Sequence, residues 1–171
     1  MAQTATTKVL RPAWENAWAA LKGWKQWSEP IQTFADTDED VRRFINEAAT
    51  LSRVPMIFAS WDSSEPRWWV YSEQEWKVPL RINVYVHRDR HGLSMDLIED
   101  AIDALFRFEA PNSLPAAPVP LIRSQTCRDP EIMQFQTGLS LDAGEGGKHK
   151  LLHSFVVVRL TLRKDPKLRG T

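Results

Sequence analysis

Four histidines are the side chains best suited to proton transfer or metal binding near neutral pH, and they fall into two pairs. His87 and His91 stand four residues apart, with Asp89 between them. On a helix, His-x-x-x-His can hold zinc, and a metalloprotease adds Glu directly after the first His. Arg88 occupies that place here, and Arg88 and Arg90 together would oppose a cation. The stretch reads as a charged loop leaving a strand. His149 and His153 repeat the spacing inside a strand pattern. At about 3.3 Å per residue they lie roughly 13 Å apart, too far to share one ion. Gly144-Glu145-Gly146-Gly147-Lys148 has the composition of a phosphate loop. Its spacing is wrong, and a strand follows where a phosphate loop needs a helix. It reads as a mobile hairpin tip that can become ordered against a neighbour. No Gly-x-Ser-x-Gly elbow occurs. One cysteine, Cys127, leaves no internal disulfide and no cysteine zinc cluster. These residues predict neither catalysis nor a metal or cofactor.

Charge patterning is more informative. Asp96, Glu99, Asp100 and Asp103 crowd the outer side of one predicted helix. Asp96/Asp100 and Glu99/Asp103 are like-charged i,i+4 pairs, each costing about 0.2–0.5 kcal/mol, and only Arg107 offers Asp103 a favourable neighbour. The face reads either as solvated or as an acidic patch for docking. Arg88, Arg90, Lys148, Lys150 and Arg159 could form the basic counterpart on another copy, since opposite patches on one molecule support head-to-tail rings. Eight tryptophans all precede residue 77, and tryptophan is enriched in cores and at interfaces. Most are expected in or at the edge of the core, with Trp68 and Trp69 added to the candidate subunit interface.

The elements that position these residues follow from periodicity. Pro12, Trp14, Ala17, Trp18 and Leu21 predict a helix over 12–24, within a Trp-rich N-terminal helical segment at 12–35. Thr37, followed by Asp38, Glu39 and Asp40, marks the start of a helix over 38–52, with Val41, Phe44, Ile45, Ala48 and Leu51 on one face. Capping explains this acidic run without a metal. Val54 to Trp61 and Trp68 to Tyr71 read as strands, and 73–77 as a polar link. The clearest strand is 79–87, with Leu80, Ile82, Val84 and Val86 facing one way and Arg81, Asn83, Tyr85 and His87 the other. Ser94 is the expected cap of the next helix, with Leu93 and Ile98 as a staple. Its stripe is Leu97, Ile98, Ala101, Ile102, Leu105 and Phe106. Four prolines between 110 and 120 predict an extended link, and 121–127 a further strand. Asp129-Pro130 reads as a turn. Met133, Phe135, Thr137, Leu139 and Leu141 then share one strand face, and Leu152, Ser154, Val156, Val158, Leu160 and Leu162 share a face of the last strand. The two strands should form an antiparallel hairpin around a flexible loop at 142–150. The expected class is α+β: one domain over 1–171, a mostly antiparallel sheet with helices packed on one face, and loose ends at 1–10 and 164–171.

Composition limits the partners. The 171 residues carry 22 Lys and Arg against 22 Asp and Glu, so the net charge is zero. Specific nucleic-acid binding is not expected, because phosphate neutralisation usually needs a basic excess. A neutral chain also repels its own copies weakly, which favours association. No run approaches the roughly 18 apolar residues of a membrane span, and the N-terminus lacks an apolar signal core. The expected compartment is the cytoplasm.

The order of parts resembles phage tail-terminator and related tail-completion proteins, minor tail protein U-like. It runs from an N-terminal helix to the Val54–Phe58 strand, an aromatic loop and the strand Leu80-Arg81-Ile82-Asn83-Val84-Tyr85-Val86-His87. The amphipathic helix Met95–Phe106, a proline-containing linker, Met133–Leu141, a glycine loop and Leu151–Leu162 complete it. The likeness covers about 38–164, and Val84-Tyr85-Val86 leading into Asp96-Leu97-Ile98-Glu99-Asp100-Ala101-Ile102 is its most similar stretch. The Trp-rich N-terminal segment departs from shorter members. The resemblance implies a structural virion protein of the tail or neck, assembled in the host cytoplasm. It implies a homohexameric ring that ends the tail tube and joins it to the head-tail connector, so its partners would be itself, the tail tube protein and connector or neck proteins. Another neck protein, or a partner-binding domain of a phage-like particle, is the alternative.

Overall fold

A computed structural model describes residues 10–62, 70–71, 75–106 and 127–163. In chain order the elements are α1 (Leu10–Gly23), β1 (Thr33–Ala35), α2 (Asp38–Asn46), α3 (Thr50–Arg53), β2 (Met56–Trp61), β3 (Val70–Tyr71), β4 (Glu75–His87), α4 (His91–Phe106), β5 (Cys127–Ala143) and β6 (His149–Arg163). The strands form one six-stranded sheet in the order β1-β2-β4-β6-β5, with β3 also paired to β4. Only β1 and β2 run parallel, and every other pairing is antiparallel. The α+β class is as the sequence predicts.

Alternation in the two central strands decides the layers. Val78, Leu80, Ile82, Val84 and Val86 of β4 join Val156, Val158, Leu160 and Leu162 of β6 on one face. α1 lays Ala13, Ala17, Trp18 and Leu21 on that face, and α4 adds Leu97, Ile98, Ala101, Ala104 and Leu105. The opposite face is covered in part. There α2 sets Val41, Phe44 and Ile45 against Met56, Phe58 and Tyr85. The helices are therefore not confined to one side, because α2 returns beside β1 and β2 with its apolar stripe turned the other way.

Several boundaries shift for physical reasons. Thr37 caps α2, its hydroxyl accepting the Asp40 N–H at 3.1 Å. The helix expected over 38–52 breaks at Glu47, whose backbone is extended, and resumes as α3. Ala48 and Leu51 are consequently exposed. Helix α4 starts at His91, not after Ser94: Arg90 O accepts the Ser94 N–H at 3.0 Å, and the Ser94 side chain is wholly buried. The polar link at 73–77 is replaced from Glu75 onward by strand, held by β3 and β6. Pro79 sits inside this long strand. Its carbonyl accepts Asp62 N–H at 2.8 Å, so its ring nitrogen points to the same flank, where β2 has ended at Trp61 opposite Leu80 and β3 has not begun. The missing donor thus falls in a break of the ladder.

The β5–β6 hairpin departs most from simple alternation. Asp129-Pro130 is not a turn: β5 runs through it, with register shifts near Arg128/Glu131, Ile132/Gln134 and Gln136/Leu139. Proline is tolerated at an edge bulge. The last shift places Phe135 opposite Val156 and Leu139 opposite His153, so the two side chains lie on different faces, not on one. The glycine loop is not a free tip, because Gly144 N–H bonds Ile45 O at 2.6 Å and residues Glu145–Gly147 form a short 3-10 turn. The prolines at 110–120, the strand expected at 121–126, the ends at 1–9 and 164–171, and Trp68, Trp69 and Arg107 lie outside the described residues.

Candidate subunit interface

Helix α4 presents Asp96 and Glu99 to solvent, while Asp100 and Asp103 are half-buried. Asp100 has a structural partner, since its Oδ2 accepts Ser28 N–H at 2.7 Å and ties the chain after α1 to α4. Asp103 is also engaged. The four carboxylates predicted as one patch therefore divide into an exposed pair and a pair held within the subunit.

The predicted basic counterpart divides in the same way. Arg90 pairs with Glu29 at 3.0 Å, Lys150 with Asp142, and Arg159 with Glu131. Arg88 lies 3.5 Å from Asp89. Lys148 is exposed at the hairpin. These pairs are at least partly solvated and contribute little stability each, but they occupy charges that the sequence left unassigned. The acidic and basic sets are real surface features and only partly available for docking.

The histidines do not converge. His87 Nδ1 stands 3.3 Å from Asp89 Oδ2, and His91 packs against the backbone of Gly138. His149 packs against Gly144, where an added side-chain carbon would stand 2.6 Å from the imidazole ring. His153 belongs to a row of linked side chains on the face opposite α1 and α4. Asn83 Oδ1 accepts from Arg81 Nε at 3.1 Å and lies 2.9 Å from His153 Nε2, so the imidazole proton sits on Nε2. Asn83 Nδ2 donates to Phe58 O, and Tyr85 stacks on His153 at 4.6 Å with the ring planes 7° apart. Burial, aided by the Arg81 charge, pushes His153 down to about 4, and burial pushes Tyr85 up to about 12. Both are neutral at pH 7, and the row locks β2, β4 and β6 together. Among the described residues, no group of three or more His, Cys, Asp and Glu is placed to hold a metal ion.

The outer flank of β5 is the surface that sequence reading missed. β5 ends the strand order, so one side of its backbone has no neighbour among the described strands. Phe135 is 65% exposed and Ile132 44%; both share the face of α4, and Met95 of α4 is 47% exposed. Leu139 is exposed on the other face. Edge strands are normally guarded by charge, yet the ten residues from Ile132 to Leu141 carry none. That uncharged run was visible in the sequence; its position at the edge was not. A scan against protein-family models matched none, and a search of curated proteins gave no match.

Proposed function

We propose that this chain is a structural assembly subunit of the tail-terminator kind, joining copies of itself at the head-proximal end of a phage tail tube and meeting the head connector there. It works by fitting surfaces together, not by turning over a substrate. The observation that carries the self-association is the uncharged outer flank of β5, with Phe135 and Ile132 in solvent on the α4 face. An open edge of that composition favours pairing with another chain. The order of elements resembling the terminator proteins, and the zero net charge, support the same reading.

The test is molar mass by light scattering across a hundredfold range of concentration, with electron microscopy of the largest species. The reading expects a mass above the 19.7 kDa of one chain, rising with concentration, and closed particles in the images. Replacing Asp96 and Glu99 by Asn and Gln, while sparing Asp100 because it holds Ser28, tests the acidic face separately. One-chain mass throughout would overturn the reading.

A further inference from the structure

From the pattern along β5 we infer that its partner is β5 of a second copy, paired antiparallel about a twofold axis perpendicular to the sheet. This rests on the reading that the β5 flank is a self-association surface. Length selects the occupant. Among the described strands the other outer ones are β1, with three residues, and β3, with two, and neither can satisfy much of a flank as long as β5. Among the described strands the best-matched partner is therefore β5 itself.

The charge pattern agrees. The ten uncharged residues are bounded at one end by Glu131, held by Arg159, and at the other by Asp142, held by Lys150. Reversed on itself, this strand places neutral centre on neutral centre and a compensated ion pair beside a compensated ion pair. No lone charge is buried in the seam. A twofold axis perpendicular to the sheet keeps both copies of α4 on the same face. Phe135 of each copy then lies diagonally across the seam from its equivalent on that face, and Ile132 faces Ser140 of the other copy. Such pairing is isologous and closes at two, which keeps an open edge from growing into fibres. Anything larger needs a second contact, for which the exposed Asp96 and Glu99 are candidates.

The experiment places nitroxide labels at Gln136→Cys and, separately, Ser140→Cys of the full chain, with Cys127→Ser, and measures intercopy distances by electron paramagnetic resonance. Light scattering on the same samples gives mass. The inference expects at least twice the one-chain mass, spin exchange at position 136, and a 140-to-140 separation of about 20 Å, from the strand rise over the three rungs between Gln136 and Ser140 on each copy. Phe135→Lys, a change at an exposed site, should return the mass to one chain with the circular dichroism spectrum unchanged. Associated protein whose labels show no such gradient overturns the twofold seam and leaves the assembly reading standing. One-chain mass at every concentration overturns both.

Discussion

Removing the Ser154 hydroxyl should destabilise the fold more than any other single-atom change at the α4–β5–β6 junction. Ser154 and Ser94 are both wholly buried, and their hydroxyls form a close hydrogen bond. Ser154 Oγ also accepts Gly138 N–H at 3.0 Å, at the bend where β5 changes register. One oxygen therefore joins a helix, a central strand and the edge strand. Ser154→Ala orphans the Gly138 amide and strips the Ser94 hydroxyl of a partner. A buried polar group left unpaired costs about 1–3 kcal/mol. Ser94 can recover part of this by turning to a carbonyl of its own helix. The expected loss is about 2–4 kcal/mol for Ser154→Ala and about 1 kcal/mol for Ser94→Ala, which spares Gly138. The double variant should lose less than the sum, since the shared bond is removed once. Urea unfolding at fixed protein concentration measures this: with a slope of about 2 kcal/mol per molar, Ser154→Ala should lower the midpoint by roughly 1–2 M. Equal effects of the two single substitutions, or strict additivity in the double variant, would refute the reasoning.

Gly138→Ala forces a side chain into a backbone with φ of +75°, a conformation costing about 1–2 kcal/mol for a non-glycine residue. The added carbon would also stand 2.6 Å from His91 Nε2, but that ring is the movable end of an exposed side chain. Adding His91→Ala should therefore restore less than half of the loss in urea melts, and full restoration would show that the contact, not the backbone, dominates. For His153, the folded pKa of about 4 lies below the ordinary 6.5, so the unfolded chain takes up its proton first as pH falls. Its contribution is fully present above about pH 6.5, declines between 6.5 and 4, and is level below that, at most about 3 kcal/mol in all. His153→Gln should narrow the difference in stability between pH 7.5 and pH 5; an unchanged difference would place the effect elsewhere.

Local periodicity carried most of the architecture. Leu80 to Val86 and Leu152 to Leu162 alternate cleanly because both strands lie in the middle of the sheet with one face under helices, and β4 pairs with β6 along its whole length. Thr37 acts as the cap that its acidic followers announced. The failures share a cause, which is tertiary context. Ser94 looks like a cap by type, but a hydroxyl partner on β6, sixty residues away, draws it inside the helix. Phe135 and Leu139 share a parity in sequence, yet a register shift separates them. The charges of α4 and the basic loops appeared unpaired because Ser28, Glu29, Glu131 and Asp142 become neighbours only after folding. The edge position of β5 depends on strand order, which no local pattern encodes.

The break beside Pro79 has an evolutionary consequence. β2 and β3 approach β4 along the same flank, one pairing from Leu80 onward and the other at Trp76 and Lys77. The polypeptide leaves and rejoins that flank at a point where β4 offers no amide, so inserted sequence displaces no rung of the ladder. A change in the number of residues between β2 and β3 therefore leaves the framework strands paired as they are, so length variation between relatives is expected to collect there.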